Sequence, residues 1–203
     1  LSRQGNWKKA AEEISKGLKI TPNSLAGRKS LTQVLSRLGL TEQANIHKAI
    51  SHYLNGKRLE FNGQWDLAVD EYMTAMQLDS TVSQYPASQG LIFAKKHDHE
   101  TAEFYLKKAL ALNANDAAAL YGMGLILGDQ QKHQEAIEYL KKSIRINPSE
   151  PQVRYVLAVN YFFTGDYQQA WEQVKQAQQL GMVIKAAFLQ ELEKASAIHH
   201  NSF

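Results

Sequence analysis

The sequence predicts an all-α protein built as a solenoid, in which antiparallel helix pairs stack one on the next. The first observation behind this prediction is that the same residue types recur at intervals of 34 positions over most of the chain. The second is that apolar residues within each interval lie three and four positions apart, which is the period of a helix. An interval of this length holds two helices, and their apolar faces are buried only where neighbouring pairs stack.

Five sets of residues keep this interval, and their coincidence defines four repeats. Three sets consist of small residues, and two consist of large apolar ones. Together they predict repeats at 49–82, 83–116, 117–150 and 151–184. The sets are Gly56, Gly90, Gly124 and Ala158; Ala68, Ala102, Ala136 and Ala170; Ala75, Ala109, Ser143 and Ala177; Tyr72, Leu106, Leu140 and Val174; and Leu78, Leu112, Ile146 and Leu180.

Each repeat divides into two helices around a short turn. In the repeat 117–150 the pattern predicts helices over about 117–128 and 133–146. Pro148 then ends the second helix, because proline cannot continue a helix and also restrains the residue before it. In the last repeat the turn contains Gly165, which we expect to adopt a positive φ.

The small residues predict where two helices of one repeat come closest. Gly124 and Ala136 lie on the first and second helices of the repeat 117–150, where the antiparallel pair would cross. A residue without bulk lets the two backbones approach, and Leu127 and Leu140 then fill the seam beside the crossing.

The most complete version of the pattern lies in the last repeat. There a large and a small residue are followed by aromatic, turn, aromatic and small positions, at Leu157-Ala158, Tyr161, Gly165, Tyr167 and Ala170. This pattern resembles the tetratricopeptide repeat family, and the resemblance covers 49–184. It implies a right-handed superhelical solenoid. The family usually has proline at the end of a repeat, and the residues found instead at three such places are Ser80, Ala114 and Met182.

The chain before residue 49 departs from the regular interval. Residues 1–24 match the last two-thirds of one more repeat, and this partial repeat places Gly5 on a turn. Residues 25–48 form an irregular, truncated repeat. Here we predict a helix over about 26–38 and a second helix, from about residue 42, that runs on into the next repeat. The missing helix would leave a groove with apolar walls, which we interpret as one candidate partner site.

The chain after the last repeat, 185–203, is predicted to be a capping helix and tail. Ile184, Phe188 and Leu192 form one apolar stripe at helical spacing, and a helix over about 183–197 would lay it on the last repeat. A solenoid needs such a helix to shield its terminal face. Residues on the other side of the stripe, which we expect to face water, are Lys185, Glu191 and Lys194.

Composition narrows the possible functions. Hydrophobic residues make up 44% and charged residues 21%, as in ordinary soluble proteins, and the net charge of +3 is too small and too dispersed to predict nucleic-acid binding. With no cysteine, disulfides and thiolate sites are excluded, and both the cytoplasm and the periplasm remain compatible. No apolar run is long enough for a membrane span. Because the chain starts at Leu1 in the middle of a pattern, we expect a fragment of a larger, bacterial protein.

The seven histidines invite a metal-site interpretation. His97 and His99 lie within one turn, and His133 follows His99 by one repeat. His99 and His133 share their register with Trp65 and Tyr167, so we interpret them as aromatic residues packed before the second helix. Without cysteine or a helical pair of histidines four apart, we expect no metal and no other cofactor. No catalytic motif is present either, and we expect the chain not to be an enzyme.

The resemblance also implies which residues face a partner. In this family the first helices line a concave groove, and positions 2, 5, 9 and 12 of each repeat point into it. Tyrosines at position 5 and aliphatic residues at position 9 would make an amphipathic groove for an apolar peptide or an amphipathic helix. The predicted partner-binding residues are Tyr53, Lys57, Leu91, Tyr121, Leu125, Tyr155, Val159 and Phe162.

The sequence therefore predicts a protein-interaction scaffold that binds a peptide or a partner-protein segment in this groove. The family's carboxylate clamp, which grips acidic chaperone tails, needs several cationic residues on the inner face. Among the residues above only Lys57 is cationic, so that activity is not carried over. Two alternatives stay open, a self-associating structural module of a larger assembly and a non-catalytic domain appended to an enzyme.

Overall fold

The computed structural model describes the backbone of residues 3–200 and the side chains of residues 4–197. Within these residues the chain forms eleven α-helices and no strand. No described helix is both long enough and apolar enough to pass through a bilayer. The helices are α1 (Arg3–Ile20), α2 (Leu25–Arg37), α3 (Thr41–Phe61), α4 (Trp65–Leu78), α5 (Gln84–Lys95), α6 (His99–Leu112), α7 (Ala117–Asp129), α8 (His133–Ile146), α9 (Pro151–Thr164), α10 (Tyr167–Gln179) and α11 (Ala186–His200).

The chain divides into two compact units within α5. Unit 1 is Leu1–Gln89 and unit 2 is Gly90–Phe203. In unit 1, α1 packs on α2, α2 on α3 and α3 on α4. In unit 2 each helix from α6 to α10 likewise packs on the one that follows it. Short turns join successive helices, and two helices that are joined by a short turn and pack on each other run antiparallel. The all-α fold of antiparallel helix pairs is therefore confirmed in each unit.

The irregular section before residue 49 is helical, as the sequence predicts. The helix α2 agrees with its predicted bounds to within one residue, and α3 is one continuous helix of 21 residues that crosses the predicted repeat border at 48. The prediction of a turn at Gly5 is wrong, because α1 already includes this residue. Glycine adopts helical angles as readily as turn angles, so its position alone does not locate the start of a helix.

The helix ends in unit 2 follow local chemistry. Asp116 caps α7, and its carboxylate accepts hydrogen bonds from the backbone N–H groups of Ala118 and Ala119, both at 3.0 Å. Helix α8 ends before Pro148, as expected. Gly165 ends α9 with a φ of 81°, which confirms the predicted left-handed turn.

The predicted close approach of the two helices in a repeat is also confirmed. A Cβ atom built on Gly124 would lie 2.5 Å from Cγ of Leu140, far inside van der Waals contact. The same overlap would occur between Gly56 and Tyr72 in unit 1, at 2.5 Å. Each glycine is therefore the space into which the large side chain of the following helix fits.

The C-terminal helix covers the last helix pair. Ile184, which precedes α11, is 6% exposed and Leu192 is fully buried, while Phe188 packs on the same cluster. Trp171 of α10 donates a hydrogen bond from Nε1 to Oγ of Ser196 at 3.1 Å and so ties α11 to α10. The C-terminal helix thus packs on the last helix pair as a capping helix would, although α11 starts three residues later than predicted. The tail beyond His200 lies outside the described residues.

Replacing Gly124 with alanine tests the close approach. Because the new methyl group would overlap Leu140, we expect Gly124→Ala to lower the free energy of unfolding by about 1–3 kcal/mol. In the double variant with Leu140→Val, the loss of unfolding free energy should be at least about 1 kcal/mol smaller than the sum of the two single losses. Ala158 and Val174 already form such an alanine–valine pair in the last repeat. Urea denaturation followed by circular dichroism measures all three variants.

Gly17 provides the matched control for this experiment. It lies inside α1, and a Cβ there would meet nothing within 4 Å. Gly17→Ala should therefore raise stability by about 0.5–1 kcal/mol through helix propensity alone. If Gly124→Ala stabilises the protein as much as Gly17→Ala does, the close approach does not constrain the fold.

A second variant tests the cap of α7. Asp116→Ala leaves the N–H groups of Ala118 and Ala119 without the carboxylate, and we expect stability to fall by about 1 kcal/mol. Asp116→Asn keeps a side-chain oxygen at the same place and should retain most of the stability. Equal losses of stability in the two variants would show that Asp116 does not stabilise the protein by capping α7.

Candidate partner-binding site

The predicted partner-binding residues lie on three helices of unit 2 and one helix of unit 1. In unit 2, α5 carries Leu91, α7 carries Tyr121 and Leu125, and α9 carries Tyr155, Val159 and Phe162. In unit 1, α3 carries Tyr53 and Lys57. Lys57 is exposed and the other seven side chains are half-buried. Half-burial means that each of the seven both supports the fold and presents some surface.

Leu91 and Tyr121 meet at one cavity, which we call the Tyr121 pocket. It has a volume of about 350 Å³ and lies among α5, α7, α8 and α9 of unit 2. Its apolar walls are Leu91, Tyr121, Val153, Ala117 and Ala118, and its polar side chains are Lys95, Ser143, Asn147, Glu150 and Gln152. The pocket thus combines apolar walls with groups of both charges, as sites for peptide side chains do.

Local packing holds Leu91 and Tyr121 in place. The Tyr121 ring packs on the buried cluster that contains Val153 and Leu157 of α9. Leu91 rests against Gly122 of α7, where a Cβ would lie 3.2 Å from Cδ2 of Leu91. A glycine at this position therefore leaves room for Leu106, whose Cδ2 would lie 2.5 Å from that Cβ, and for Leu91 at the wall of the pocket.

The Tyr121 hydroxyl keeps its proton over the physiological pH range. Burial, with a smaller contribution from the Glu150 carboxylate, raises the pKa of Tyr121 to about 12. A deprotonated phenolate would be poorly solvated here and would face a like charge. The pocket therefore offers a neutral hydroxyl that can donate a hydrogen bond to a ligand carbonyl or carboxylate.

Tyr155 and Phe162 lie beneath the C-terminal helix. The Phe188 ring of α11 contacts the rings of Tyr155 and Phe162 edge-to-face, at centroid distances of 5.6 and 5.8 Å. Edge-to-face contacts at such distances stabilise the packing of aromatic rings. These two predicted residues thus take part in the seam between α9 and α11, away from the lining of the Tyr121 pocket. Leu125 and Val159 lie outside that lining as well.

The two predicted residues of unit 1 are partnered within that unit. The Tyr53 ring contacts the rings of Tyr72 and Tyr85, at centroid distances of 5.6 and 5.3 Å. Nζ of Lys57 lies 2.9 Å from a carboxylate oxygen of Glu60. Tyr53 therefore belongs to a tyrosine cluster at the edge of the core of unit 1, and Lys57 forms an ion pair on its surface.

A second cavity lies in unit 1 among α2, α3 and α4. Its volume is about 500 Å³, and Lys29, Lys48 and Arg58 contribute positive charge to its lining. Glu71 also lines the cavity, and one of its carboxylate oxygens lies 2.6 Å from Nδ1 of His52. This arrangement would suit an acidic or carbonyl-rich ligand.

This cavity lies at the expected groove of the section 25–48, and most of its lining surface is apolar although it comes mainly from the carbon stems of polar residues. Among its described lining residues only Leu25 is apolar. The reason is that α2 and α3 pack directly on each other, so that Leu31, Leu35 and Ala44 are already buried in a shared cluster. The large apolar side chains that would have formed the walls are therefore inside the unit.

Sequence reasoning missed part of the Tyr121 pocket. Lys95 and Glu150 lie outside the four inner positions of a repeat, at the end of one helix and just before the start of another. Glu150 directly precedes Pro151, which is a recognisable signal for a helix start and could have placed its carboxylate at a helix end. Lys95 gives no comparable signal.

Comparison with known proteins agrees with this architecture. The family model for anaphase-promoting complex, cyclosome, subunit 3 matches residues 95–177. Photosystem I assembly protein Ycf3 of Acaryochloris marina (strain MBIC 11017) is 30% identical over 95 residues, which cover 45% of this chain and 57% of that protein. The chain therefore spans little more than half the length of that relative.

Two solved structures show the same fold. The structure of pilF from Pseudomonas aeruginosa has a TM-score of 0.65 at 19% identity and covers 98% of this chain and 87% of its own. YrrB, a TPR protein with an unusual peptide-binding site, has a TM-score of 0.53 at 18% identity, covering 92% of this chain and 99% of its own. Together with the repeat interval, the paired helices and the glycines at their crossings, these matches show that the chain has the fold of tetratricopeptide repeat proteins.

Proposed function

We propose that the chain is a protein-interaction scaffold whose Tyr121 pocket takes an apolar side chain from a peptide or a partner-protein segment. The observation that carries this proposal is the open volume of about 350 Å³ between Leu91 and Tyr121, with charged groups beside it. A peptide bound there would place an apolar side chain against the walls and its backbone near the polar groups. The proposal assigns no catalytic step to the chain.

The size and chemistry of the pocket support one large apolar anchor. The free space is comparable to that of small ligand sites, and the ring of Tyr121 offers a wide surface that loses little entropy on binding. Binding energy at protein interfaces is concentrated in a few such anchors, each seated in a pocket and surrounded by polar contacts. Lys95 and Glu150 supply charged contacts of both signs.

The packing of neighbouring aromatic residues favours this pocket over the other predicted positions. Tyr155 and Phe162 already contact Phe188, so a ligand would compete there with α11 of the same chain. At the Tyr121 pocket a ligand would fill open volume without displacing a helix. The solved structure of YrrB is described as having a peptide-binding site, which shows that another chain of this fold binds peptides.

A peptide-selection experiment tests this function. Peptides that bind the wild-type chain would be selected from a random peptide library, and their affinities would be measured by fluorescence anisotropy. We expect the selected peptides to share a large apolar residue. Because Tyr121→Ala removes the main wall of the pocket, it should weaken their binding by at least about tenfold.

Tyr139→Ala provides the matched control. Tyr139 is also half-buried and packs on the same core cluster as Tyr121, but it does not line the pocket. Tyr139→Ala should therefore destabilise the protein about as much as Tyr121→Ala does, and it should leave peptide affinity unchanged. If Tyr121→Ala retains its helical circular dichroism and binds the peptides as tightly as the wild type, the pocket is not the site. Selected peptides that are acidic and lack an apolar anchor would likewise contradict the proposal.

A further inference from the structure

Two histidines and one aspartate of unit 2 converge at one point outside the Tyr121 pocket. Nδ1 of His97 lies 3.1 Å from Oδ2 of Asp129, and Nε2 of His99 lies 3.3 Å from the same oxygen. The ligand atoms of all three side chains lie within 4.8 Å of one another. His97 is 76% exposed and Asp129 42%, so that the cluster is open to solvent.

The three residues occupy the ends of three successive helices. His97 follows the end of α5, His99 is the first residue of α6, and Asp129 is the last residue of α7. Asp98, between the two histidines, accepts a hydrogen bond from the backbone N–H of Thr101 at 3.1 Å and so caps α6. The cap fixes the backbone between His97 and His99 without using either imidazole.

Two of these residues run against local preference. His97 has a φ of 57°, in the left-handed region that glycine favours. The equivalent turn residues in the other repeats are Gly63, Gln131 and Gly165, and Gln131 shares the positive φ, at 62°. Asp129 places a negative charge at the C-terminal end of α7, where the helix dipole is also negative. Departures from local preference that meet at one place are expected at functional sites.

The two nitrogen–oxygen distances match the separation between ligands of one transition-metal ion. In a tetrahedral site with ligands at about 2.0–2.1 Å from zinc, neighbouring ligand atoms are separated by about 3.3 Å. Imidazole nitrogens suit zinc, copper and nickel, whereas calcium and magnesium prefer oxygen ligands alone. A cation at this point would also offset the charge of Asp129 at the end of α7.

We propose that His97, His99 and Asp129 form a binding site for a divalent transition-metal ion such as Zn²⁺. The three side chains supply two nitrogen ligands and one carboxylate, and water completes the coordination on the exposed side. The site ties the turn between α5 and α6 to the end of α7. It is independent of the proposed peptide-binding function, because none of the three residues lines the Tyr121 pocket.

The proposal departs from the expectation of no metal drawn from the sequence. That expectation assigned His99 to an aromatic packing position, and the related histidine one repeat later, His133, fits this interpretation. The His133 ring stacks on Phe163 at 4.7 Å, and its Nδ1 lies 3.0 Å from Oδ1 of Asn160. At His99 the third ligand comes from Asp129, 30 residues away in sequence, and no spacing pattern around the histidines indicates it.

Zinc titration of the whole chain by isothermal calorimetry tests the site. With zinc chloride as the probe, we expect one saturable binding event per chain. In Asp129→Asn and in His97→Gly this event should weaken by at least about tenfold, since each variant removes a ligand. His97→Gly should keep its fold, because glycine already occupies the equivalent turns at Gly63 and Gly165. Circular dichroism without zinc verifies this.

His133→Gln is the matched control, since it removes the histidine at the same place in the next repeat. This variant should bind zinc as tightly as the wild type, and zinc should raise the melting temperature of both by more than that of Asp129→Asn. The absence of saturable zinc binding, or equal zinc affinity in Asp129→Asn and the wild type, overturns the proposal. So does a calcium chloride titration with a response as large as that of zinc, because it would indicate charge attraction alone.

Discussion

The contact between a glycine on one helix and a large side chain on the next is the constraint on which each helix pair depends. Gly124 and Leu140 in unit 2, and Gly56 and Tyr72 in unit 1, approach so closely that even one methyl group would not fit. Where the large residue is smaller, at Val174, alanine takes the place of glycine. The combined volume of each pair therefore changes little, as close-packed interiors require.

This packing also decides which side chains are left for other tasks. The fully buried positions are mostly alanines, leucines and isoleucines on the inner sides of the helices. The aromatic residues at the predicted partner-binding positions lie at the margins of these clusters. The surroundings of these tyrosines differ. Tyr53 joins a tyrosine cluster, Tyr155 packs under α11, and Tyr121 borders an open pocket. Equivalent positions in a repeat thus have unequal surroundings.

The ends of helices contribute the polar chemistry. Lys95 and Glu150 bring charge to the Tyr121 pocket from the end of α5 and the start of α9. His97, His99 and Asp129 converge from the ends of three helices, two of them in places that local preference disfavours. In a repeat protein the residues in the middle of each helix are constrained because the repeats stack on them. Residues in the turns can therefore differ between repeats with little loss of stability.

The sequence by itself determined the class of fold, the helical nature of nearly every segment, the glycine crossings and the apolar stripe of the C-terminal helix. These features depend on periodicity and on local propensity, both of which can be read along one chain. Tertiary structure alone decided that Tyr155 and Phe162 pack against Phe188, that the residues lining the cavity of unit 1 are mostly polar, and that Asp129 meets two histidines. Such contacts join side chains from different helices, and their distances depend on how the helices pack, which no spacing within a single helix records.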